Sequence, residues 1–170
     1  MDYFSQGKQQ LDKSDISQAE CTFAEGLHKG DIRCAYGLLA VNAIRGTDCS
    51  QALAQLKAVW PDLLEMAQTH DADANFIIGR CYETGSAVDA DISLAMKYYT
   101  LAAGKGHLDA MYNLGCIYIR LGESGSSIAK DYFESAANQG HHHAQLALGH
   151  YYEEQGNTER SQFWYNKAHA

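Results

Sequence analysis

Proline is nearly absent: the 170-residue chain has one, Pro61. Proline removes a backbone donor and clashes with the preceding turn, so its scarcity leaves long helical runs open. Long apolar runs are missing as well. No stretch approaches the ~20 apolar residues that a membrane helix needs. The N-terminus, Met-Asp-Tyr-Phe-Ser-Gln-Gly-Lys, lacks the apolar core of a secretory signal. Positive charge is in short supply: 13 lysines and arginines stand against 21 aspartates and glutamates, for a formal net charge of −8. Such a surface repels phosphate backbones, which argues against nucleic acid as a partner. It favours a basic partner and speeds the encounter. Cysteine occurs five times, at Cys21, Cys34, Cys49, Cys81 and Cys116, with no CxxC pair. An odd number at irregular spacing is a poor disulfide framework. The cysteines read as reduced, mostly buried small apolar residues. With no signal peptide, they place the chain in the cytoplasm.

Motifs of chemistry are also lacking. No nucleophile elbow, phosphate-binding loop, zincin helix or dinucleotide glycine fingerprint occurs. Asp71-Ala-Asp73-Ala-Asn75 opens with the spacing of a calcium loop. That loop then needs glycine at its sixth place and glutamate at its twelfth, where this chain has Phe76 and Tyr82. The segment reads better as the start of a helix. His141, His142 and His143 invite a metal reading, with His150 seven residues further on. Three adjacent histidines at a turn do not all point one way, and a stable site needs a closed, oriented ligand set. They read as a solvated helix start. Glu153 and Glu154 are adjacent, so they do not face each other on a helix and are read as surface charge. Neither a metal nor another cofactor is predicted.

What is present is a globular composition, 46% hydrophobic and 20% charged, enough for one domain with a sizeable core. It is organised as a repeat. Three segments share one pattern: Asp73-Ala-Asn-Phe-Ile-Ile-Gly-Arg-Cys-Tyr82, Asp109-Ala-Met-Tyr-Asn-Leu-Gly-Cys-Ile-Tyr118 and His143-Ala-Gln-Leu-Ala-Leu-Gly-His-Tyr-Tyr152. Ala74, Ala110 and Ala144 correspond, as do Gly79, Gly115 and Gly149, at offsets of 36 and 34. A second element follows each, with aromatics at Tyr99, Phe133 and Tyr165 and small residues at Ala102, Ala136 and Ala168. The apolar spacing is helical: Ala110, Leu114, Ile117 and Tyr118 form one stripe. The unit is therefore helix A, a turn, helix B and a turn. Small residues on A let B approach, and each unit must stack on its neighbours to bury its apolar face. Gly106 and Gly140 stand where a left-handed C-cap belongs, Gly122 and Gly156 mark A-to-B turns, and Asp89 or Asp91 is placed to cap the next helix.

The period, the Ala…Leu-Gly…Tyr helix and the Tyr/Phe…Ala-Ala…Gly ending resemble the Sel1-like repeat, a relative of the tetratricopeptide repeat. The departures are Ile78 before Gly79, Ser161 where alanine is usual, and a shortened turn in the last unit. The resemblance covers residues 71–106, 107–140 and 141–170. It implies an all-α fold, a right-handed superhelical solenoid of about five helix pairs. The first 70 residues fit less well. The 16-residue interval from Gly30 to Gly46 recurs from Gly106 to Gly122 and from Gly140 to Gly156. On that frame residues 31–70 form an atypical pair, with helix A over 31–44 and a longer B over 50–70, broken or kinked at Trp60-Pro61. Residues 1–30 form a degenerate terminal pair over 3–11 and 16–28. All 170 residues are read as one repeat domain.

In this repeat superfamily the A helices line the concave face. The resemblance carries that role to Asp73, Phe76, Arg80 and Glu83, to Asp109, Tyr112, Cys116 and Arg120, and to His143, His150 and Glu153. The function it implies is a non-catalytic module, a scaffold that binds a protein or peptide. A sharper alternative is an immunity or inhibitor protein for a basic toxin or enzyme, because the repeats resemble some bacterial immunity proteins and the chain is acidic. A metal carrier or thiol-dependent enzyme ranks below both.

Overall fold

A computed structural model describes residues 1–169, apart from the side chains of residues 123–125. Among the described residues there are helices and turns and no strand. The helices are α1 (Tyr3–Asp12), α2 (Ile16–His28), α3 (Cys34–Arg45), α4 (Ser50–Ala58), α5 (Trp60–Gln68), α6 (Ala72–Thr84), α7 (Ile92–Ala103), α8 (Leu108–Arg120), α9 (Glu123–Asn138), α10 (His142–Glu154) and α11 (Thr158–Ala168).

Backbone conformation divides these helices into pairs. One residue with positive φ stands in each connection except that at Val59: Ser14, Gly30, Gly46, His70, Gly85, Gly106, Gly122, Gly140 and Gly156. At Val59 φ is −91° and the chain barely leaves the helical path. So α4 and α5 are one B helix broken in the middle, and the chain makes five A–B pairs. The break lies next to the predicted place. Pro61 sits in the first turn of α5, where its missing N–H costs nothing.

The turns from B back to A put a left-handed residue at Gly30, His70, Gly106 and Gly140. After Gly140, the His141 N–H reaches back to the Ala136 carbonyl at 3.1 Å, closing the end of α9. His70 holds the same conformation at φ 68° without glycine's freedom, a strained position for a side-chain-bearing residue.

The N-terminal pair occupies the predicted spans to within a residue. The second A helix differs: it begins at Cys34, three residues after the predicted start at 31. Asp31 does not cap it. Its carboxylate instead accepts the Phe4 N–H at 3.2 Å and the Arg33 Nε–H at 2.9 Å.

The chain forms two compact units, Met1–Ala95 and Met96–Ala170. In the first, Phe23 of α2 is fully buried between two glycines, Gly7 of α1 and Gly37 of α3. A Cβ at either glycine would fall within 2.5 Å of the ring. Phe4, Val41, Leu56, Leu63, Ile77 and Ile78 complete that core. In the second, Phe133 of α9 lies on Gly115 of α8, and Tyr165 of α11 lies on Gly149 of α10. Leu114, Ile117 and Leu148 surround them, fully buried or nearly so. In these two pairs the repeat's glycine is thus the seat of the B-helix aromatic of its own pair. Burying such a ring contributes ~2–3 kcal/mol relative to leaving it exposed.

Two buried amides stitch B ends to the next A helix. Asn75 donates to the Ala67 carbonyl at 3.2 Å and to the Asp71 carbonyl at 2.7 Å. Gln145 donates to the Ala137 carbonyl at 3.1 Å. Ala67 and Ala137 lie in last turns, whose carbonyls have no partner within their own helix.

Candidate partner-binding face

Helix starts fix the side chains of the A-helix face. Asp71 accepts the Ala74 N–H at 2.7 Å and so caps α6, which accounts for the calcium-loop-like spacing. Asp91, one of the two predicted candidates, caps α7 through the Leu94 N–H at 2.9 Å. His107 and His141 cap α8 and α10 with Nδ1, accepting the N–H of Ala110 at 3.3 Å and of Ala144 at 3.1 Å. An Nδ1 that accepts leaves the proton on Nε2, and His141 Nε2 lies 3.1 Å from Asp109 Oδ1. His141 Nε2–H therefore donates to Asp109 and ties α10 to α8. Its side chain is 11% exposed, so it is a structural cap rather than the solvated residue predicted. His142 and His143 are exposed as predicted. No group of three or more His, Cys, Asp or Glu side chains able to hold a metal occurs among the described residues.

In the unit Met1–Ala95, Arg33 is the centre of the A-helix face. Its guanidinium forks onto Asp31 at 2.9 and 3.1 Å, and reaches Asp2 at 3.0 Å and Asp73 at 3.1 Å. Asp71 stands 4.0 Å away. Burial opposes the guanidinium's charge, but the hydrogen bonds and charge of Asp31, with Asp2 and Asp71, outweigh it and raise its pKa. Burial also works to raise the Asp2 pKa. Hydrogen bonds from Ser5, then the Arg33 charge, overcome that and hold it below the ordinary aspartate value. Further along the face, Arg80 donates to the Tyr36 hydroxyl at 3.3 Å and to Glu83 at 3.2 Å.

In the unit Met96–Ala170, Tyr112 of α8 lies against Phe133, His141 and His143, with ring centroids 5.3–5.8 Å apart. Burial, then its bond with Cys116, pushes the phenol pKa up to about 12, so it stays neutral. Beside it a groove of about 330 Å³ opens between α8 and α10. It is lined by Phe133 and Ala147, by Cys116, Ile119 and Arg120 on the α8 side and by His150, Tyr151 and Glu154 on the α10 side. Ile119 is 46% exposed. The Tyr165 hydroxyl donates to Glu153 at 2.8 Å and contacts Nδ1 of the groove residue His150 at 2.8 Å. A second groove, about 490 Å³, runs between the B helices α7 and α9 over Met111, with Asp131 and Tyr132 at its edge.

Most predicted face residues keep exposed surface: Asp73, Arg80, Glu83, Asp109, Tyr112, Cys116, Arg120, His143, His150 and Glu153. Phe76 is the exception and corrects the prediction. It is only 8% exposed, packed edge-on against Tyr36 at 6.5 Å with the Lys8 ammonium over its ring at 5.7 Å. It is a packing residue. Sequence reasoning missed the groove residues Ile119, Phe133, Ala147 and Glu154. One sign was legible, a small residue at Ala147 two places before the repeat glycine. The cysteines also need correction: Cys34 and Cys81 are buried, Cys49 and Cys116 half-buried and Cys21 exposed, all as free thiols. Cys21 falls outside the buried stripe Ala19, Thr22, Phe23, Gly26 of α2.

Stacked helix pairs of this geometry define an all-α helical-repeat solenoid. The chain belongs to the Sel1-like, tetratricopeptide-related repeat proteins. Residues 72–107 match the Sel1 repeat, and residues 108–137 and 142–168 match a tetratricopeptide repeat. The two kinds differ visibly here: seven residues join α6 to α7, but two join α8 to α9 and three join α10 to α11. Among solved structures, a Sel1 repeat protein from Oxalobacter formigenes is 28% identical, with 62% of this chain and 86% of that one covered and a TM-score of 0.56. The protective antigen c5321 of uropathogenic Escherichia coli, which displays an SLR fold, is 22% identical with a TM-score of 0.61. The match covers 88% of this chain but only 32% of that one, and it shows likeness of fold. No match is found among curated proteins.

Proposed function

We propose that the chain is a non-catalytic adaptor that binds a protein or peptide partner on the concave face lined by its A helices. Repeats of the Sel1 and tetratricopeptide kind generally mediate protein–protein interaction. The observation that carries the reading is the cross-helix locking of A-helix side chains. Arg33 holds Asp73 across α3 and α6, and His141 holds Asp109 across α8 and α10. Side chains fixed before binding lose less entropy on binding. Around them stand Arg80, Tyr112 and Arg120, of the residue types favoured as interface anchors. The reading places the chain in the cytoplasm, on the strength of its five free thiols. Nucleic acid and membrane are not the partners it invokes. No helix among the described residues is long and apolar enough to cross a membrane.

Affinity purification of the tagged chain tests it. The wild type is expected to retain a protein partner that the variant Arg80→Glu with Tyr112→Ala loses, while Asp131→Arg on the B-helix side keeps it. Equal recovery by all three would rule out the A-helix face.

The charge distribution favours a second, narrower reading, an immunity or inhibitor protein for a basic toxin or enzyme. Residues 1–95 hold fourteen carboxylates against seven lysines and arginines, while residues 96–170 hold seven against six. The acidity therefore belongs to the first unit, where it would steer a cationic partner. Rescue of cells expressing such a toxin is the expected result, and a failure to rescue with every basic toxin encoded beside the gene would remove this reading.

A further inference from the structure

We infer that the groove between α8 and α10 receives a large apolar side chain of a partner segment, with a lysine or arginine next to it in that segment. The inference rests on the protein-binding reading above and names the chemistry that one part of the face selects.

The lining supplies the apolar half. Phe133 is 4% exposed and Ala147 is small, and the gap they line measures about 330 Å³, room for one large side chain. Exposed Ile119 extends the apolar wall on the α8 side. An apolar side chain entering there buries its own surface and that of Ile119.

The α10 wall supplies the charge. The helix carries Glu153 and Glu154 in its last turn and neither lysine nor arginine anywhere along it. Carboxylates at a helix C-terminus oppose the helix dipole, so this end is electrostatically unfavourable as it stands. Glu153 is engaged by the Tyr165 hydroxyl. Glu154 has no ion pair among the described residues and stands at the groove edge. A cation placed beside Glu154 satisfies both the carboxylate and the C-terminal dipole. Glu154, beside His150 and Tyr151 on this wall, gives charge complementarity for a segment whose basic residue lies toward α10.

The experiment is a selection of random dodecapeptides displayed on phage against the immobilised full chain, followed by fluorescence anisotropy with the enriched peptides. Enrichment of an apolar residue flanked by Lys or Arg is expected. Glu154→Arg is expected to weaken those peptides about fivefold, with folding intact by circular dichroism because the new charge suits the dipole. Ala147→Trp fills the groove and is expected to abolish binding. Enriched peptides without the pattern, or binding untouched by both variants, would overturn the inference. If such peptides instead depend on Arg80 or Tyr112, the adaptor reading stands and the groove assignment falls. If no A-helix substitution matters, or no peptide is enriched, both fall.

Discussion

Adding one carbon at Gly115 is expected to destabilise the chain, although alanine is the better helix former. The new methyl would lie 2.4 Å from Phe133 Cε1, 2.7 Å from Cδ1 and 2.8 Å from Cζ. Carbons in contact prefer ~3.5–4.0 Å, so the ring or the helix must retreat by about 1 Å. Phe133 is only 4% exposed and already packed against Tyr112 at 5.8 Å, so the ring has little room. Overpacking of this kind costs ~1–3 kcal/mol, while replacing glycine by alanine inside a helix gains ~1 kcal/mol. Three ring atoms within 2.8 Å put this clash in the upper part of that range, ~2–3 kcal/mol, so the net expectation is a loss of ~1–2 kcal/mol. Urea unfolding followed by circular dichroism reads it as a midpoint lowered by about 0.5–1 M, for an m-value of ~2 kcal/mol/M. The companion variant Phe133→Leu removes the ring atoms that clash. The double variant should therefore lose less than the sum of the single losses, a coupling of ~1 kcal/mol. A Gly115→Ala midpoint equal to or above that of the wild type would refute the reasoning: the glycine would then not be there to seat the ring.

Two further predictions concern charge and thiols. Arg33→Ala leaves Asp2, Asp31, Asp71 and Asp73 facing one another and should cost ~2–3 kcal/mol at neutral pH. Asp2 has a lowered native pKa, so its contribution is in place above about pH 4 and is lost as pH falls through the native value. The gap between wild type and variant should narrow in melts at pH 3, and a gap that stays constant would show that Arg33 does not act through these carboxylates. Cys34 and Cys81 are pushed up to about 12, chiefly by burial, against an ordinary 9.0. Their thiolate fraction at pH 8 is then ~10³-fold below that of an ordinary thiol. Alkylation followed by mass spectrometry should modify exposed Cys21 first and these two only on unfolding, and equal rates would contradict their burial.

Legibility in the sequence followed the periodicity. Residues 71–170 were readable because alanine, glycine and tyrosine recur at fixed places, and these residues prove to be the close contacts between helices. The N-terminal pairs use the same device with different spacing. Phe23 is held by Gly7 and Gly37, whose separation of 30 matches no interval in the later repeats, so neither glycine stood out. The left-handed residue at His70 carries no local signal, because glycine is the residue type that marks such turns. The delayed start of α3 depends on Asp31 bonding to Phe4, 27 residues away, which no local signal reports. For the face, the A-helix positions were legible from the frame, and Phe76 failed because its neighbours Lys8 and Tyr36 come from two other helices. The groove was illegible for the same reason: α8, α9 and α10 each supply part of it.

The amides of Asn75 and Gln145 bear on how such a chain can be cut and rejoined. Each reaches backward over a turn to a carbonyl at the end of the preceding B helix. A splice in those turns separates donor from acceptor and strands a buried polar group on each side. A splice between an A helix and its following B helix, in residues 85–91 or 155–157, leaves both bonds whole. The unit that keeps these two buried hydrogen bonds together therefore runs from B to A. It is half a repeat out of phase with the A–B unit that the sequence displays.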